Sequence, residues 1–525
     1  MSWNKGKSKQ RIKDRDFATS EVIVSKLSRE RDFTNILPKE AVETDSVHSY
    51  VELGGFKEVV SEAKEDQTKQ KKALRALNVF QKTADHLLSN KDETTVIQYQ
   101  SDRVHALTFK PYDDEAARTL NAVIHGIDFV SAMRSFNQIF KEELSSSFFG
   151  RVGIADGKTF IVNVGKRGNR DLLSLGGPAS FAAKHVTGID QVTITEKMYG
   201  QLPVTLRDLF KPANHRGRSV YALTGFVWQD NADLKNKFSP DFNEEKLQKK
   251  IQEFKDEVNL DDIEISGANE KIDFETLSHC NVKRLDSISV YADLDGFTAY
   301  MDALKTIDDV KQMVRVFHAI RSEFEEVLTC DFDGIKVQQR GDCILGNVHV
   351  PSNDGDESDR TQETADCSVA LMSSMKALND YFGHGYQFDL QIGVASGKVF
   401  FARIGKHGER TPITIGHSVD RAESLQQMAE KNDIRLCPKT FDRLPDDLLK
   451  EQFKKVDGDD CYSAKGLTVD KLVALEDKKL EKAAHDRVAM SNAKTPGMFN
   501  VGVSSSRESH AHVNTSPHYT KKVIK

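Results

Sequence analysis

The chain has 525 residues, 38% of them hydrophobic and 29% charged, too many for one ordinary core and typical of at least two globular domains. The formal net charge of −6 gives no sign of a general nucleic-acid binder. No apolar run of about 18 residues occurs, so no transmembrane helix is expected. The basic start MSWNKGKSKQRIKDRD has no apolar stretch behind it, so no secretory signal is expected either. The six cysteines all lie in the second half and none form a C-x-x-C pair. They read as reduced thiols of a cytoplasmic protein.

Residues 1–45 form a polar N-terminal segment, with a helix expected around Ser20–Arg31. Residues 46–230 read as a first domain. An apolar strand ends at Glu52, a helix covers Val59–Leu88, a hairpin carries Asp102, a helix covers Asp113–Phe140, and a glycine-rich strand pair starts at Arg151. A charged linker, 231–273, includes a helix at KLQKKIQEFKDEVNL. Residues 274–484 run through the same order: the apolar strand Ile288–Ala292 leading to Asp293, a helix over Met301–Thr329, a hairpin with Asp342, a helix over Thr361–Phe382, and a glycine-rich pair from Gln391. Asp333-Gly334 is the expected turn of that hairpin, with Asp342 on the returning strand. Residues 485–525 lack periodicity and read as a disordered tail, whose His510, His512 and His518 could bind a metal but read first as solvated side chains.

The two domains are copies. RVGIADGKTFIVNVGKRGNRDLLSLGGPASFAAKH from Arg151 matches QIGVASGKVFFARIGKHGERTPITIGHSVDRAESL from Gln391 without a gap, 240 residues on (391 minus 151). Asp102 falls on Asp342 at the same offset, and with one residue of slippage Glu52 falls on Asp293. Strands alternating with long helices give an α+β fold, an antiparallel-rich sheet with packed helices.

Asp293 at a strand end and Asp342 on a neighbouring hairpin can reach the same ions. Two carboxylates with phosphate oxygens suit Mg²⁺ or Mn²⁺. Asp293, Leu294 and Asp342 are the candidate metal positions. Leu294, Gly296, Phe297 and Thr298, in DLDGFT, form the candidate phosphate cradle, Gly296 because no Cβ intervenes. Lys406 and Arg410, in GKHGER, are candidate triphosphate contacts.

In order, YADLDGFT, GDCILG and IGHSVDRAESL resemble the three signature segments of the class III nucleotidyl cyclases. The resemblance covers Leu285–Ala474, and a fainter version covers Val47–Trp228. It implies two domains paired head to tail, here as an intramolecular pseudo-dimer, with each site built from both. One domain supplies two aspartates for two divalent ions; the other supplies an Asn and an Arg for ribose and transition-state phosphate. Asp293 and Asp342 fill the metal positions of the second copy, and Ser180 and Lys184 stand at the Asn and Arg positions of the first. The reverse combination is Glu52 and Asp102 with Asp420 and Ser424, another acid and no cation at the Arg position. Like-charge repulsion disfavours it, so one working and one degenerate site are expected.

The base-selecting positions implied by the family hold Gln98 and Leu173 in the first copy and Gln338 and Ile413 in the second, neither purine code. Gln98 can both donate and accept towards a pyrimidine edge. The arrangement is most similar to the pyrimidine cyclases of bacterial Pycsar antiphage defence. That likeness implies a cytoplasmic enzyme making cyclic CMP or cyclic UMP, with CTP favoured, for a separate effector, without nucleic acid or membrane; homodimerisation stays open. Two other readings stand beside it. The DLDG segment also resembles haloacid-dehalogenase-like phosphatases, with Asp293 as nucleophile and Asp295 as acid, and both copies could instead be non-catalytic nucleotide binders.

Overall fold

In the computed structural model the described residues are 3–493, apart from 29–32, 34, 90, 167–168, 305, 354–356, 384 and 407–409. His510, His512, His518 and the tail from 494 onward lie outside them. The first half runs α1 (Lys5–Ala18), β1 (Ile23–Lys26), β2 (Glu40–Gly54), α2 (Phe56–Ala63), α3 (Gln67–Leu88), β3 (Thr94–Gln100), β4 (Arg103–Thr108), α4 (Glu115–Phe140), β5 (Phe149–Lys166), β6 (Asn169–Leu175), α5 (Gly177–Lys184), β7 (Gln191–Ile194), α6 (Glu196–Gln201), α7 (Val204–Arg207), β8 (Lys211–His215) and β9 (Arg218–Thr224). After α8 (Ala232–Phe238) and α9 (Glu244–Asp256), the second half runs β10 (Glu264–Ser266), β11 (Asn281–Asp295), α10 (Phe297–Ala303), α11 (Ile307–Glu326), β12 (Ile335–Arg340), β13 (Cys343–His349), α12 (Glu357–Phe382), β14 (Asp389–Ile404), β15 (Thr411–Ile415), α13 (His417–Met428), β16 (Asp433–Leu436), α14 (Pro438–Asp442), α15 (Asp447–Lys450), β17 (Lys454–Lys455), β18 (Tyr462–Lys465) and α16 (Val469–Ala493).

Each half builds a nine-stranded sheet, and the two strand orders are the same, β3-β4-β2-β5-β7-β9-β8 and β12-β13-β11-β14-β16-β18-β17. Even the irregularities repeat: β3 and β12 each slip register just before Gln98 and Gln338. Pairing of Glu52 with Arg151 and of Asp293 with Gln391 gives the one-residue slip its structural meaning. The fold is thus two tandem cyclase-like α+β domains.

The long strands reach across the interface. The β5–β6 arm buries Val162, Val164, Leu173 and Leu175 in the core of the second domain. The β14–β15 arm buries Phe400, Ala402, Ile404, Ile413 and Ile415 in the core of the first. The amide of Gly165 donates to His318 Nδ1 (3.3 Å) and that of Gly405 to Asn78 Oδ1 (3.0 Å), a pseudo-twofold pair of contacts. Gly153 and Gly393 are packing glycines. A Cβ on either would stand 2.2 and 2.0 Å from the carbonyl oxygens of Ala182 and Ala422, so only glycine lets α5 and α13 lie this close to their sheets.

Several local expectations are corrected. The N-terminal helix is Lys5–Ala18, capped by Asn4, and the stretch from Ser20 carries β1 instead. α1 docks on the second domain, with Trp3 buried and its Nε1 donating to Ser374 Oγ (2.8 Å), while β1 pairs with β2 of the first. The helix expected over Val59–Leu88 breaks at Lys64, which has φ of 42°, and restarts on the Asp66 cap. The one over Met301–Thr329 breaks after Ala303 and restarts on a Thr306–Asp309 capping box. Asp333-Gly334 leads out of the helix into β12; the hairpin turn itself is Gly341-Asp342, with Gly341 at φ 60°. α9 packs on α3 and α4 through buried Leu247 and Ile251. No helix among the described residues is long and apolar enough to cross a membrane.

Candidate active site

A cleft of about 250 Å³ opens between the domains and is lined from both sides. Asp293 stands near the end of the central strand β11, two residues before its last residue Asp295, and the β12–β13 turn carries Asp342 beside it. Neither carboxylate has an ion-pair partner among the described residues; Asp293 accepts only from the Gln426 amide, at 3.3 Å. Burial, and then the Asp342 charge, hold Asp293 well above the usual carboxylate range. Burial pushes Asp342 up to about 7, with Lys184 drawing both down. Two desolvated carboxylates side by side without a direct ion-pair partner are an electrostatic deficit that divalent ions would relieve. The donor set therefore fits metal binding. Leu294 is buried in the core, so only its carbonyl could contribute there.

Across the cleft, α5 of the first domain presents Ser180 and Lys184 one turn apart. Both reach Thr298 of the second: Ser180 Oγ donates at 3.1 Å and Lys184 Nζ at 2.6 Å. Gly296 holds φ of 90°, which turns the chain from β11 into α10, and Phe297 packs on Phe317 (centroids 4.8 Å). Asp293, Asp342, Ser180, Lys184, Phe297, Thr298, Gln98 and Leu173 all line this one cleft. Lys406 and Arg410 do not. The β14–β15 arm carries them to α3 of the first domain, where Lys406 Nζ lies 3.5 Å from Asp85.

The mirror half of the cleft differs in charge. Burial alone would raise Glu52, but Arg103 and then Arg151 hold it below the usual range. Asp102 is pushed up to about 6 by burial and by Glu52. Lys57 Nζ pairs with Glu423 at 2.8 Å. Asp420 rises to about 7 through burial, with Lys57 opposing and Asp102 reinforcing it. In the repeat, Lys57 stands where the second copy has Thr298, and Arg103 where it has Cys343. The mirror site is therefore not the bare acidic cluster that its Asn and Arg positions suggested: the protein supplies cations of its own. Those two basic replacements were visible in the alignment of the copies, but their direction was not.

At the far end of the cleft, Gln98 is already engaged. Its Nε2 donates to the Gln339 carbonyl and its Oε1 accepts from Gln100 Nε2 (2.7 Å). Tyr50, Gln100 and His105 also line this end, and no motif in the sequence singles them out. In the second copy Gln338 turns instead to Pro412 O (2.9 Å) and to Arg340.

Residues 280–474 match the family described as the adenylate and guanylate cyclase catalytic domain. Residues 280–474 thus carry a class III nucleotide cyclase domain. The chain is 26% identical to a uridylate cyclase of Pseudomonas aeruginosa over 81% of its length and 83% of that protein. It is 24% identical to a uridylate cyclase of a Rhizobium species over 85% of its length and 91% of that protein. A crystal structure of a class III adenylyl cyclase-like ATP-binding protein from Pseudomonas aeruginosa superposes with a TM-score of 0.75 and 23% identity, over 90% of this chain and all of that one. That likeness speaks to the fold and covers both domains of the cyclase.

Proposed function

We propose that this cyclase converts a pyrimidine nucleoside triphosphate, UTP or CTP, into the 3′,5′-cyclic monophosphate and pyrophosphate at a single site. The observation that carries it is the cleft that sets Asp293 and Asp342 of one domain, neither with an ion-pair partner among the described residues, against Lys184 of the other. Asp293, Asp342 and the Leu294 carbonyl would hold divalent ions, which would supply acidification of the ribose 3′-hydroxyl and neutralisation of the triphosphate. In the reaction the 3′-oxygen bonds to the α-phosphorus and the bond to the β,γ-pyrophosphate breaks. Lys184 places a positive charge beside the α-phosphate and Ser180 a hydroxyl beside the ribose; their shared contact with Thr298 positions both. Lys184 lacks the planar fork of arginine, so it acts as a point charge.

Neither base-selecting code for purines is present at Gln98 and Leu173, which supports a pyrimidine. The preference for CTP drawn from the sequence meets two relatives named uridylate cyclases, so UTP stands at least beside it. The Pycsar likeness supports a second messenger acting on a separate effector in the cytoplasm during antiviral defence.

The test is incubation of the full chain with each of the four nucleoside triphosphates and Mn²⁺, read by mass spectrometry. Cyclic UMP or cyclic CMP with pyrophosphate is expected; free phosphate alone would mark a phosphatase. Asp293→Ala and Asp342→Ala should each abolish product, and Asp102→Ala should be far milder. Equal loss from all three sinks the single-site reading.

A further inference from the structure

We infer that His105 reads the Watson–Crick edge of the pyrimidine base, and that its neutral ring changes tautomer to suit uracil or cytosine. The inference rests on the pyrimidine reading above and deepens it.

Sheet register places the residue. Gln98 pairs with His105 across β3 and β4, His105 with Tyr50 across β4 and β2, and Tyr50 with Gly153 across β2 and β5. Directly paired residues share a face. The open space over Gly153 receives α5 with Ser180 and Lys184, so this row lies on the cleft side. His105 is only 3% exposed and still lines the cleft. Tyr50 stacks on its ring at 4.2 Å with 9° between planes, which fixes the ring plane. The repeat puts Leu345 at this place in the second copy, so the polar group belongs to the working half alone.

One ring nitrogen is used and one is not. His105 Nε2 lies 3.0 Å from His48 Nδ1, and His48 Nε2 lies 3.0 Å from Thr159 Oγ1. His105 Nδ1 has no hydrogen-bond partner among the described residues. Burial keeps both rings neutral. The chain of three has two equivalent states. If Thr159 donates to His48, then His48 donates to His105 and Nδ1 carries a proton. If Thr159 accepts, His105 donates to His48 and Nδ1 is bare. The first state offers a donor, matched to the bare N3 of cytosine; the second offers an acceptor, matched to N3–H of uracil. Both states carry the same number of protons and no net charge: each ring gives up its Nδ1 proton and takes one on Nε2 by exchange with water, while the Thr159 hydroxyl rotates from donor to acceptor. Gln98, with an acceptor and a donor both engaged, cannot switch in this way.

Long-range ¹H–¹⁵N spectra of the intact, histidine-labelled chain, assigned with His105→Gln, test it with Mg²⁺ and the α,β-methylene analogues of UTP and CTP. Opposite ring nitrogens of His105 should carry the proton with the two analogues. The same tautomer with both, or no response of His105, overturns the inference. In kinetics, His105→Leu should lower kcat/KM for the pyrimidine substrate on the order of 10-fold or more, mainly through KM, as expected for one lost hydrogen bond to substrate. His105→Gln, whose amide can offer either group, should recover part of it. Wild-type turnover of UTP or CTP with KM unchanged in His105→Leu overturns this inference alone; wild-type turnover of purines alone overturns the pyrimidine reading with it.

Discussion

Arg11 is the strongest single tie between the N-terminal helix and the cyclase domain, and its removal should be felt far from the cleft. Its guanidinium makes four hydrogen bonds: Nε and Nη2 to Glu323 at 2.8 and 2.7 Å, Nη1 and Nη2 to Asp331 at 3.0 and 2.8 Å. Both carboxylate side chains are fully buried, whereas the Arg11 side chain is 14% exposed. Deleting one partner of a buried ion pair leaves an uncompensated charge, an effect of about 3–5 kcal/mol. The lower end applies, because Glu323 keeps the hydroxyls of Ser8 (2.7 Å) and Ser374 (3.1 Å) and Asp331 keeps Lys7 (3.2 Å). Arg11→Ala should therefore destabilise the second domain by about 3 kcal/mol. Urea unfolding followed by tryptophan fluorescence measures it, since Trp3 rides on the same docking surface. Arg15→Ala is the control. Arg15 meets Glu326 at 3.5 Å with its side chain 31% exposed, so the change should stay below about 1 kcal/mol. If Arg11→Ala shifts the transition no more than Arg15→Ala, the docking of α1 does not rest on this network.

Two further outcomes follow from packing and from titration. Gly153→Ala forces a Cβ onto the Ala182 carbonyl at 2.2 Å, so α5 must move, carrying Ser180 and Lys184 with it. A displacement near 1 Å at reacting groups lowers rate on the order of 100-fold, whereas Gly200→Ala, which meets nothing within 4 Å, should leave kcat within twofold. Equal kcat in both variants would show that α5 does not position the chemistry. His48 and His318 are held down to about 3 and about 4, first by burial. As pH falls below about 6.5 the unfolded chain binds protons at these two rings that the folded one refuses, so their contribution to stability is full above that pH. It should then fall by about 1.4 kcal/mol per pH unit for each histidine, down to its folded value. Buried Asp342 and Asp420, pushed up to about 7, act in the opposite direction over the same range. The test is therefore the difference in urea midpoint between wild type and His48→Leu. It should shift against wild type as pH drops from 6.5 to 5.5, and a difference that stays constant across pH 7.5, 6.5 and 5.5 contradicts a buried neutral ring at His48.

What the sequence determined by itself was the architecture and the chemistry of each half. Duplication at a fixed offset, the acids at strand ends and hairpins, and Ser180 with Lys184 on one helical turn are local patterns. Local patterns survive without knowledge of the partner. Strand periodicity and turn glycines then specified two α+β copies, down to the register slip at Glu52 and Asp293. Helix breaks at Lys64 and Ala303 were missed because a capping residue can restart a helix without disturbing its apolar period. Everything that depends on which surfaces face each other was decided by the tertiary structure. The β14–β15 arm took Lys406 and Arg410 away from the cleft and onto α3. α1, although it sits at the start of the chain, packed on the second domain because Trp3 and Arg11 match groups there. Lys57, Arg103 and Arg151 turned one half of the cleft into a self-neutralised site, whereas Asp293 and Asp342 have no ion-pair partner among the described residues. A carboxylate's charge is written in the sequence, but whether it is desolvated and what stands opposite it are set by the pseudo-twofold packing of the two domains.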